Sequence, residues 1–335
     1  MKNMKRRFFA ALLACALGAF MPGGVWADVK IDARNFPDEN FRQWVKENVA
    51  EGGDTLTDIE TIEKLSIGPE GISSLKGIEF FTALWRLQIT GNNIATLDLA
   101  KNTALEWLEC PGNELTELIL PKTDRLRVIF CRENNLTELD LSGNPNLETL
   151  QCNKNSLTAL DLSHNPALKK LFCTANELTA LDLSHTSALE ELACGVTQIE
   201  TLDLSHATAL KVLHCDFEEI DLSKNPRISE LNLSNMTKRL TLPNGDRVDL
   251  GKILRLPRED GGDYRLDISG YDGKIEQVLI TKWGEDDATP LDVPGGACAF
   301  KPADGTMTLL YRIGGETGTL RILMDIVSEP GFEAD

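Results

Sequence analysis

The most regular feature of the chain is an apolar pattern that repeats every 21 residues between residues 65 and 244. Leucine or isoleucine recurs at one position of this repeat, and again ten residues later. The first set is Leu87, Leu108, Ile129, Leu150, Leu171, Leu192 and Leu213, and the second is Leu97, Leu118, Leu139, Leu160, Leu181 and Leu202. A step kept at many positions over many copies indicates an internal repeat that organises the fold.

Within each copy, apolar and polar residues alternate, which predicts a short strand with one buried face. In one copy Leu150 and Cys152 would point inward, while Gln151 points to solvent. A unit of this length cannot close its own core, so stacked units must share one, with their strands in a parallel sheet. The Leu-Asp-Leu-Ser stretch at 160–163 recurs in the next two copies and predicts an extended back side rather than a helix. We therefore expect a curved solenoid with a parallel β-sheet on its concave side.

The repeat also places an asparagine just beyond each predicted strand. The clearest copy has Leu147, Leu150, Cys152, Asn155 and Leu157 at the spacing of the leucine-rich-repeat pattern. An asparagine side chain at such a turn can hydrogen-bond buried backbone groups of its own and the neighbouring coil. We therefore predict a structural asparagine ladder of Asn92, Asn113, Asn134, Asn155 and Asn176.

Six cysteines keep the same step, at an inward position that leucine occupies in the general pattern. They are Cys110, Cys131, Cys152, Cys173, Cys194 and Cys215. Adjacent strands lie ~4.8 Å apart, so disulfides between neighbouring coils are one interpretation. The register favours the other, a structural column of reduced thiols that pack as small buried hydrophobes. Cys298 has no partner that the sequence reveals.

Different patterns flank the repeats. Residues 28–64 predict a helical N-terminal cap, with helices over 38–49 and 57–64. The linker between these helices resembles a calcium-binding loop but lacks two of its ligands, so we expect no metal site. Residues 245–335 contain strand-like runs at 254–256, 264–268, 277–283, 307–313 and 319–326, separated by turn residues. Such runs predict a small β-sandwich domain after the solenoid.

The repeat, from about Ile72 to Leu242, carries a family resemblance. The chain resembles bacterial internalin-type leucine-rich-repeat proteins, most closely the internalin J class, whose 21-residue repeats carry cysteine in the strand. This resemblance implies secretion, a helical cap, an immunoglobulin-like end domain and recognition of other proteins, often in adhesion. We expect no cofactor.

The first residues predict a secretory signal cleaved after Ala27, because a basic head and an apolar run precede Val25-Trp26-Ala27. A lipoprotein anchored at Cys15 is the alternative interpretation. No wall-anchor motif was recognised, so we expect the protein to be secreted or periplasmic, without membrane insertion. Residues 1–27 contain four of the 34 basic residues and none of the 52 acidic ones, so the mature chain carries a net charge of −22. That charge disfavours nucleic acids and anionic lipids as partners.

Candidate catalytic and metal-binding groups are few. His164, His185 and His206 share the 21-residue step, which predicts one solvent-facing position that the repeat duplicated rather than a metal site. His214 is expected on the concave face. No recognised hydrolase, metalloprotease or phosphate-loop motif occurs. We therefore expect no enzyme; a secreted hydrolase or inhibitor with its active part in the C-terminal domain is the alternative.

The concave face is where solenoids usually bind their partners, and its outward positions can be read from the repeat. Solvent-facing aromatic residues are enriched at interfaces. The predicted site is an apolar stripe with polar neighbours, made of Trp107, Phe130, Phe172, Glu109, Arg132, Gln151 and Lys170. We expect a monomeric protein-binding module whose partner is a host or bacterial surface protein.

Overall fold

The computed structural model describes residues 28–233, 237–243 and 245–250, together with the backbone of seven later strands. The first strands are β1 (Val29–Lys30), β2 (Thr55–Leu56), β3 (Lys64–Ile67), β4 (Arg86–Ile89), β5 (Thr96–Asp98), β6 (Trp107–Glu109), β7 (Glu117–Ile119) and β8 (Val128–Phe130). The next are β9 (Thr149–Gln151), β10 (Lys170–Phe172), β11 (Glu191–Ala193), β12 (Val212–Cys215), β13 (Glu219–Asp221), β14 (Glu230–Leu233), β15 (Arg239–Thr241) and β16 (Arg247–Asp249). The last are β17 (Leu254–Arg255), β18 (Tyr264–Asp267), β19 (Ile275–Lys282), β20 (Thr289–Pro290), β21 (Ala297–Phe300), β22 (Gly305–Arg312) and β23 (Thr319–Ile326). The expected signal, Cys15 and the Cys298 side chain lie outside the described residues.

Helix α1 (Glu39–Asn48) confirms the helix that the sequence predicted over 38–49. Asp38 caps it by accepting the Phe41 N–H at 2.8 Å, a bond that satisfies one free donor of the first turn. Phe41 and Val45 are buried on one face of the helix and join the core of the repeats. The two short strands β1 and β2 pair antiparallel on either side of this helix in the sequence.

The second helix, predicted over 57–64, was wrong. This stretch forms a single 3-10 turn, Ile59–Thr61, and then enters β3. Leu65 and Ile67 are buried on alternating positions of β3, which pairs in parallel with β4. A helix this short gains little from its own hydrogen bonds, so pairing with the sheet determines the local structure.

The concave sheet confirms the predicted parallel solenoid, which has about eight turns. Strands β3, β4, β6, β8, β9, β10, β11, β12 and β14 are adjacent and parallel, in that order. The 21-residue step is also the strand register, since Leu108, Ile129, Leu150 and Leu171 are consecutive partners. All four side chains are fully buried. They form the continuous core that the alternation of apolar and polar residues predicted.

The convex side is extended, as predicted, but pairs regularly only near its ends. Strand β5 pairs in parallel with β7, and β13 pairs in parallel with β15. A repeated aspartate shapes the turn that follows, as where Asp161 accepts the Ser163 N–H at 2.9 Å. This bond recurs at Asp98, Asp140, Asp182, Asp203 and Asp221.

The asparagine ladder forms the predicted hydrogen bonds. Asn134 donates from Nδ2 to the carbonyls of Cys110 and Cys131, each at 3.0 Å. Its Oδ1 accepts the buried Leu115 N–H, also at 3.0 Å, so one side chain joins two coils. Asn92, Asn155 and Asn176 repeat the arrangement. Thr197 occupies this position one coil later and reaches only the Cys194 carbonyl of its own coil, at 3.2 Å.

A second column of buried asparagines lies behind the first, and sequence analysis missed it. Its members bond backbone carbonyls of the preceding coil and are Asn102, Asn144, Asn165 and Asn225. Asn144 and Asn165 stand one 21-residue step apart, and Asn102 two steps before Asn144, so the same self-comparison would have found them.

The five strand-like runs predicted after the repeats are all present, as β17, β18, β19, β22 and β23. Strand β23 pairs in parallel with β14, so the concave sheet continues directly into the C-terminal region. Strands β19, β20, β22 and β23 extend it, while β17, β18 and β21 form a separate antiparallel sheet. The immunoglobulin-like arrangement of residues 245–335 stays a prediction.

Candidate binding surface

The concave face consists of two parallel rows of outward side chains, fixed by the strand register. The first row is Lys64, Arg86, Trp107, Val128, Thr149, Lys170, Glu191, Val212 and Glu230. The second row, two residues further along each strand, is Ser66, Gln88, Glu109, Phe130, Gln151, Phe172, Ala193, His214 and Asn232. Each strand therefore presents two side chains to a partner inside the curve, except β11, where Ala193 is buried.

An aromatic cluster forms where the two rows meet between β6 and β8. Trp107 and Phe130 are diagonal neighbours on adjacent strands, because Glu109 is the direct partner of Phe130. Their ring centroids are 5.4 Å apart with planes at 82°, an edge-to-face contact. The Arg86 guanidinium lies 4.7 Å from the centre of the Trp107 ring, so cation, indole and phenyl group are in contact across three coils. We call Arg86, Trp107 and Phe130 the aromatic cluster.

The structure does not bring all three predicted aromatics together. Phe172 is in the same row as Phe130, as predicted, but Gln151 lies between them on β9. Trp107 and Phe130 make the only ring contact on the described concave face. The predicted stripe is therefore a compact cluster on β4, β6 and β8, with Phe172 as a separate aromatic side chain two coils away.

Polar side chains beside the cluster are held by hydrogen bonds. Glu109 accepts from Gln88 Nε2 at 2.6 Å, and its carboxylate lies 3.9 Å from the Arg86 guanidinium. Further along the sheet Lys170 is paired with Glu191 at 2.8 Å. Arg132, just beyond β8, is exposed and lies 3.6 Å from the Glu133 carboxylate. These ion pairs fix side-chain positions, although each contributes only about 0–1 kcal/mol to stability at an exposed site.

The two rows are electrically balanced, unlike the chain as a whole. Their cations are Lys64, Arg86 and Lys170, and their carboxylates are Glu109, Glu191 and Glu230. The whole chain carries −18, so the excess negative charge lies elsewhere. An acidic partner segment would therefore meet less electrostatic repulsion on the concave face than elsewhere on the surface.

An alternating row of charges runs beside the concave face, and sequence analysis missed it. Glu148 bridges Arg127 on one neighbouring coil and Lys169 on the other, each at 2.7 Å. The hydrogen bond from Lys169 is the main cause that lowers the pKa of Glu148. Glu190 and Lys211 continue the row with a 2.8 Å pair. The 21-residue step of alternating sign in these residues was visible in the sequence.

The cysteine column lies on the opposite, inward face of the same strands. All six thiols are free and buried, as the packing interpretation predicts. Burial raises the pKa of Cys131, Cys173 and Cys215 to about 12, and raises the pKa of the other three as well. The thiols are therefore protonated and shielded from solvent reagents near neutral pH.

These thiols are expected to react with a thiol reagent at pH 8 only after the protein is unfolded. In the folded protein the six column thiols should stay unmodified for as long as the solenoid persists, since a reagent must reach a deprotonated sulfur. Mass spectrometry of the alkylated protein, with and without denaturant, counts the modified cysteines. Disulfide-linked pairs of column cysteines would contradict the packing account.

The histidine column is exposed, as predicted. His164, His185 and His206 stand on the outer edge of successive coils, and His164 bonds the neighbouring Ser163 hydroxyl at 2.9 Å. No three His, Cys, Asp or Glu side chains among the described residues are grouped to hold a metal ion. Within the same residues no helix is long and apolar enough to cross a bilayer.

No protein-family model matches the chain, and no curated protein matches it. Solved structures do. The functional domain of InlJ from Listeria monocytogenes, described as including a cysteine ladder, is 20% identical, with 89% of this chain and 98% of that chain covered and a TM-score of 0.35. Internalin-type leucine-rich-repeat proteins are thus among the structural neighbours of the present chain. Internalin C2 of the same organism is 21% identical, with coverage of 64% and 90% and a TM-score of 0.48. A leucine-rich-repeat protein of Leptospira interrogans is 21% identical, with coverage of 53% and 52% and a TM-score of 0.47.

Proposed function

We propose that this chain is a secreted binding protein that recognises a partner protein through its concave face, with the aromatic cluster at the centre of the contact. The observation that carries the proposal is the edge-to-face contact of Trp107 and Phe130 on a strand surface that faces solvent. Neither ring belongs to the leucine and cysteine core. Large rings held outside the core offer apolar area that a partner can cover, at about 25 cal/mol per Å² before the costs of association.

The composition of the cluster also favours a binding role. Tryptophan and arginine are enriched among the residues that dominate binding energies at interfaces. Arg86 and Trp107 stack on each other, so both side chains are already ordered and lose little conformational entropy when a partner arrives. Among the described residues, the Arg86 Nε and Trp107 Nε1 donors have no hydrogen-bond acceptor. A buried donor without an acceptor costs roughly 1–3 kcal/mol, which a partner carbonyl or carboxylate would recover after a small side-chain shift.

The remaining predicted site residues form the edge of this contact. Glu109, held by Gln88, and the exposed Arg132 lie beside the cluster on neighbouring strands. Gln151, Lys170 and Phe172 extend the surface toward the C-terminal coils. A polar rim around an apolar centre is the usual anatomy of a protein interface.

The rest of the proposal follows from the sequence. A signal cleaved after Ala27 would deliver a monomeric solenoid to the periplasm or the exterior. Binding needs no cofactor, and we assign the protein no catalytic activity. The partner we expect is a host or bacterial surface protein that is neutral, apolar or basic, because the mature chain as a whole carries −22.

The experiment compares two immobilised baits, the mature protein and its Trp107→Ala/Phe130→Ala variant, against surface extracts of bacterial and host cells. Proteins retained by the first bait and lost from the second are partners of the concave face. A Val212→Ala bait is the matched control, since Val212 lies in the first row but on β12, away from the cluster. Identical retention by all three baits would contradict the proposed surface.

A further inference from the structure

A groove opens on the convex side, opposite the surface described above. It is a cavity of about 430 Å³ between β7 and the back side of the following coil, residues 138–140. Leu118, Leu120, Leu139, Pro121 and Ala159 supply apolar atoms to its lining. The paired convex strands β5 and β7 end at this groove, because the next coil does not continue their ladder.

The groove lies where the repeat is irregular. Six other coils carry an aspartate that accepts the N–H two residues later. This coil has Ile119 in that position, and Pro121 two residues later has no N–H to donate. The acceptor and the donor of the usual turn hydrogen bond are thus both replaced by apolar residues. Ile119 is 41% exposed, and Val196 is the one other exposed large aliphatic residue among those described.

A glycine on the next coil lets the groove wall approach closely. Gly143 stands where the flanking coils carry Lys122 and His164. A Cβ at Gly143 would lie 2.8 Å from Lys122 Cγ, closer than real atoms pack, and 3.1 Å from Lys122 Cα, a tight contact. Glycine therefore lets this coil approach Lys122, which also lines the groove.

Carboxylates surround the apolar floor. Glu117, Glu138, Asp140 and Asp161 line the groove, and Lys122 is the single cation in its lining. Hydrogen bonds from Ser142 and Ser163 lower the pKa values of Asp140 and Asp161, so both stay ionised near neutral pH. The groove therefore combines an apolar surface with a net negative rim.

We propose that this convex groove is a second docking site, for an extended segment of a partner protein in which an aliphatic side chain is flanked by lysine or arginine. The aliphatic group would cover Ile119 above the nearly buried leucines of the floor, and the flanking cations would pair with the carboxylates. A segment with acidic flanks would be repelled. The site is independent of the concave face, so either proposal can fail without the other.

The test is a titration of the ¹⁵N-labelled mature protein, followed by NMR. The probe is a short blocked peptide that alternates lysine and leucine, and the control replaces each lysine by glutamate. We expect saturable shifts at the amides of residues 117–122 and 138–144 with the lysine peptide alone. Shifts that spread over the whole acidic surface, or no shifts, would overturn the proposal.

Ile119→Asp separates the groove from general charge attraction. It introduces the residue that other coils carry at this exposed position, so we expect an unchanged unfolding midpoint. If only charge attracts the peptide, the added carboxylate tightens binding, which would contradict the proposal. If the apolar floor contributes, the dissociation constant rises about tenfold. A Glu117→Gln/Glu138→Gln variant should weaken binding at low salt, while it keeps both aspartate turns intact.

Discussion

Truncation of Leu150 to alanine is expected to lower the free energy of unfolding by about 2–5 kcal/mol. Leu150 is fully buried on β9, between Ile129 and Leu171 on the adjacent strands. Its loss removes apolar contact and leaves a cavity that the neighbouring coils can only partly fill, because each coil is fixed in register by the next. The measurement is denaturant unfolding of the mature protein.

The control for Leu150→Ala is Thr149→Ala, the neighbouring residue whose side chain belongs to the concave face. This substitution should change the free energy of unfolding by less than about 0.5 kcal/mol, as surface changes usually do. If the two variants unfold alike, the strand register is wrong and the concave face has been assigned to the wrong residues.

Asn134→Ala is the second substitution with a large expected effect, a loss of about 3 kcal/mol in the free energy of unfolding. Removing the side chain leaves the buried Leu115 N–H without an acceptor and takes a donor from two carbonyls, Cys110 and Cys131. One unsatisfied buried group costs roughly 1–3 kcal/mol, and here three groups in two coils are affected. Thr197 shows that a coil can fold without this asparagine, so destabilisation rather than misfolding is expected.

The adjacent Asn135 supplies the control for the ladder. Its side chain is exposed, so Asn135→Ala should leave the unfolding curve almost unchanged. A loss below about 0.5 kcal/mol for Asn134→Ala, measured in the same series, would show that the ladder contributes little to the cohesion of the coils.

The inward half of the repeat was predictable because burial imposes a periodic pattern on the sequence. Leu150, Cys152 and Asn155 occupy positions that each coil must fill in the same way, and self-comparison finds them without a structure. The segment at 57–64 was not predictable, because pairing with β4 competes with a weak local helix. The repeat pattern therefore predicted most of the core residues of the solenoid, but little of the structure of the N-terminal cap.

The outward half was predictable only in part. The repeat places Trp107, Phe130 and Phe172 on the concave face, but it does not decide which rings touch. That depends on diagonal contacts between strands, and only Trp107 and Phe130 are diagonal neighbours on adjacent strands. The convex groove arises from single departures from the repeat, Ile119 and Gly143, which a consensus reading discards.

The most direct test of the concave-face proposal is the affinity of Trp107→Ala for a partner captured as described above, measured together with the unfolding of the same variant. We expect the dissociation constant to rise by about 30-fold or more, the effect of losing a dominant interface residue. The free energy of unfolding should fall by no more than about 1.5 kcal/mol, since Trp107 lies outside the buried core and its ring contacts are with Phe130 and Arg86. A variant that keeps this stability and binds as tightly as the parent protein would show that the partner is recognised elsewhere.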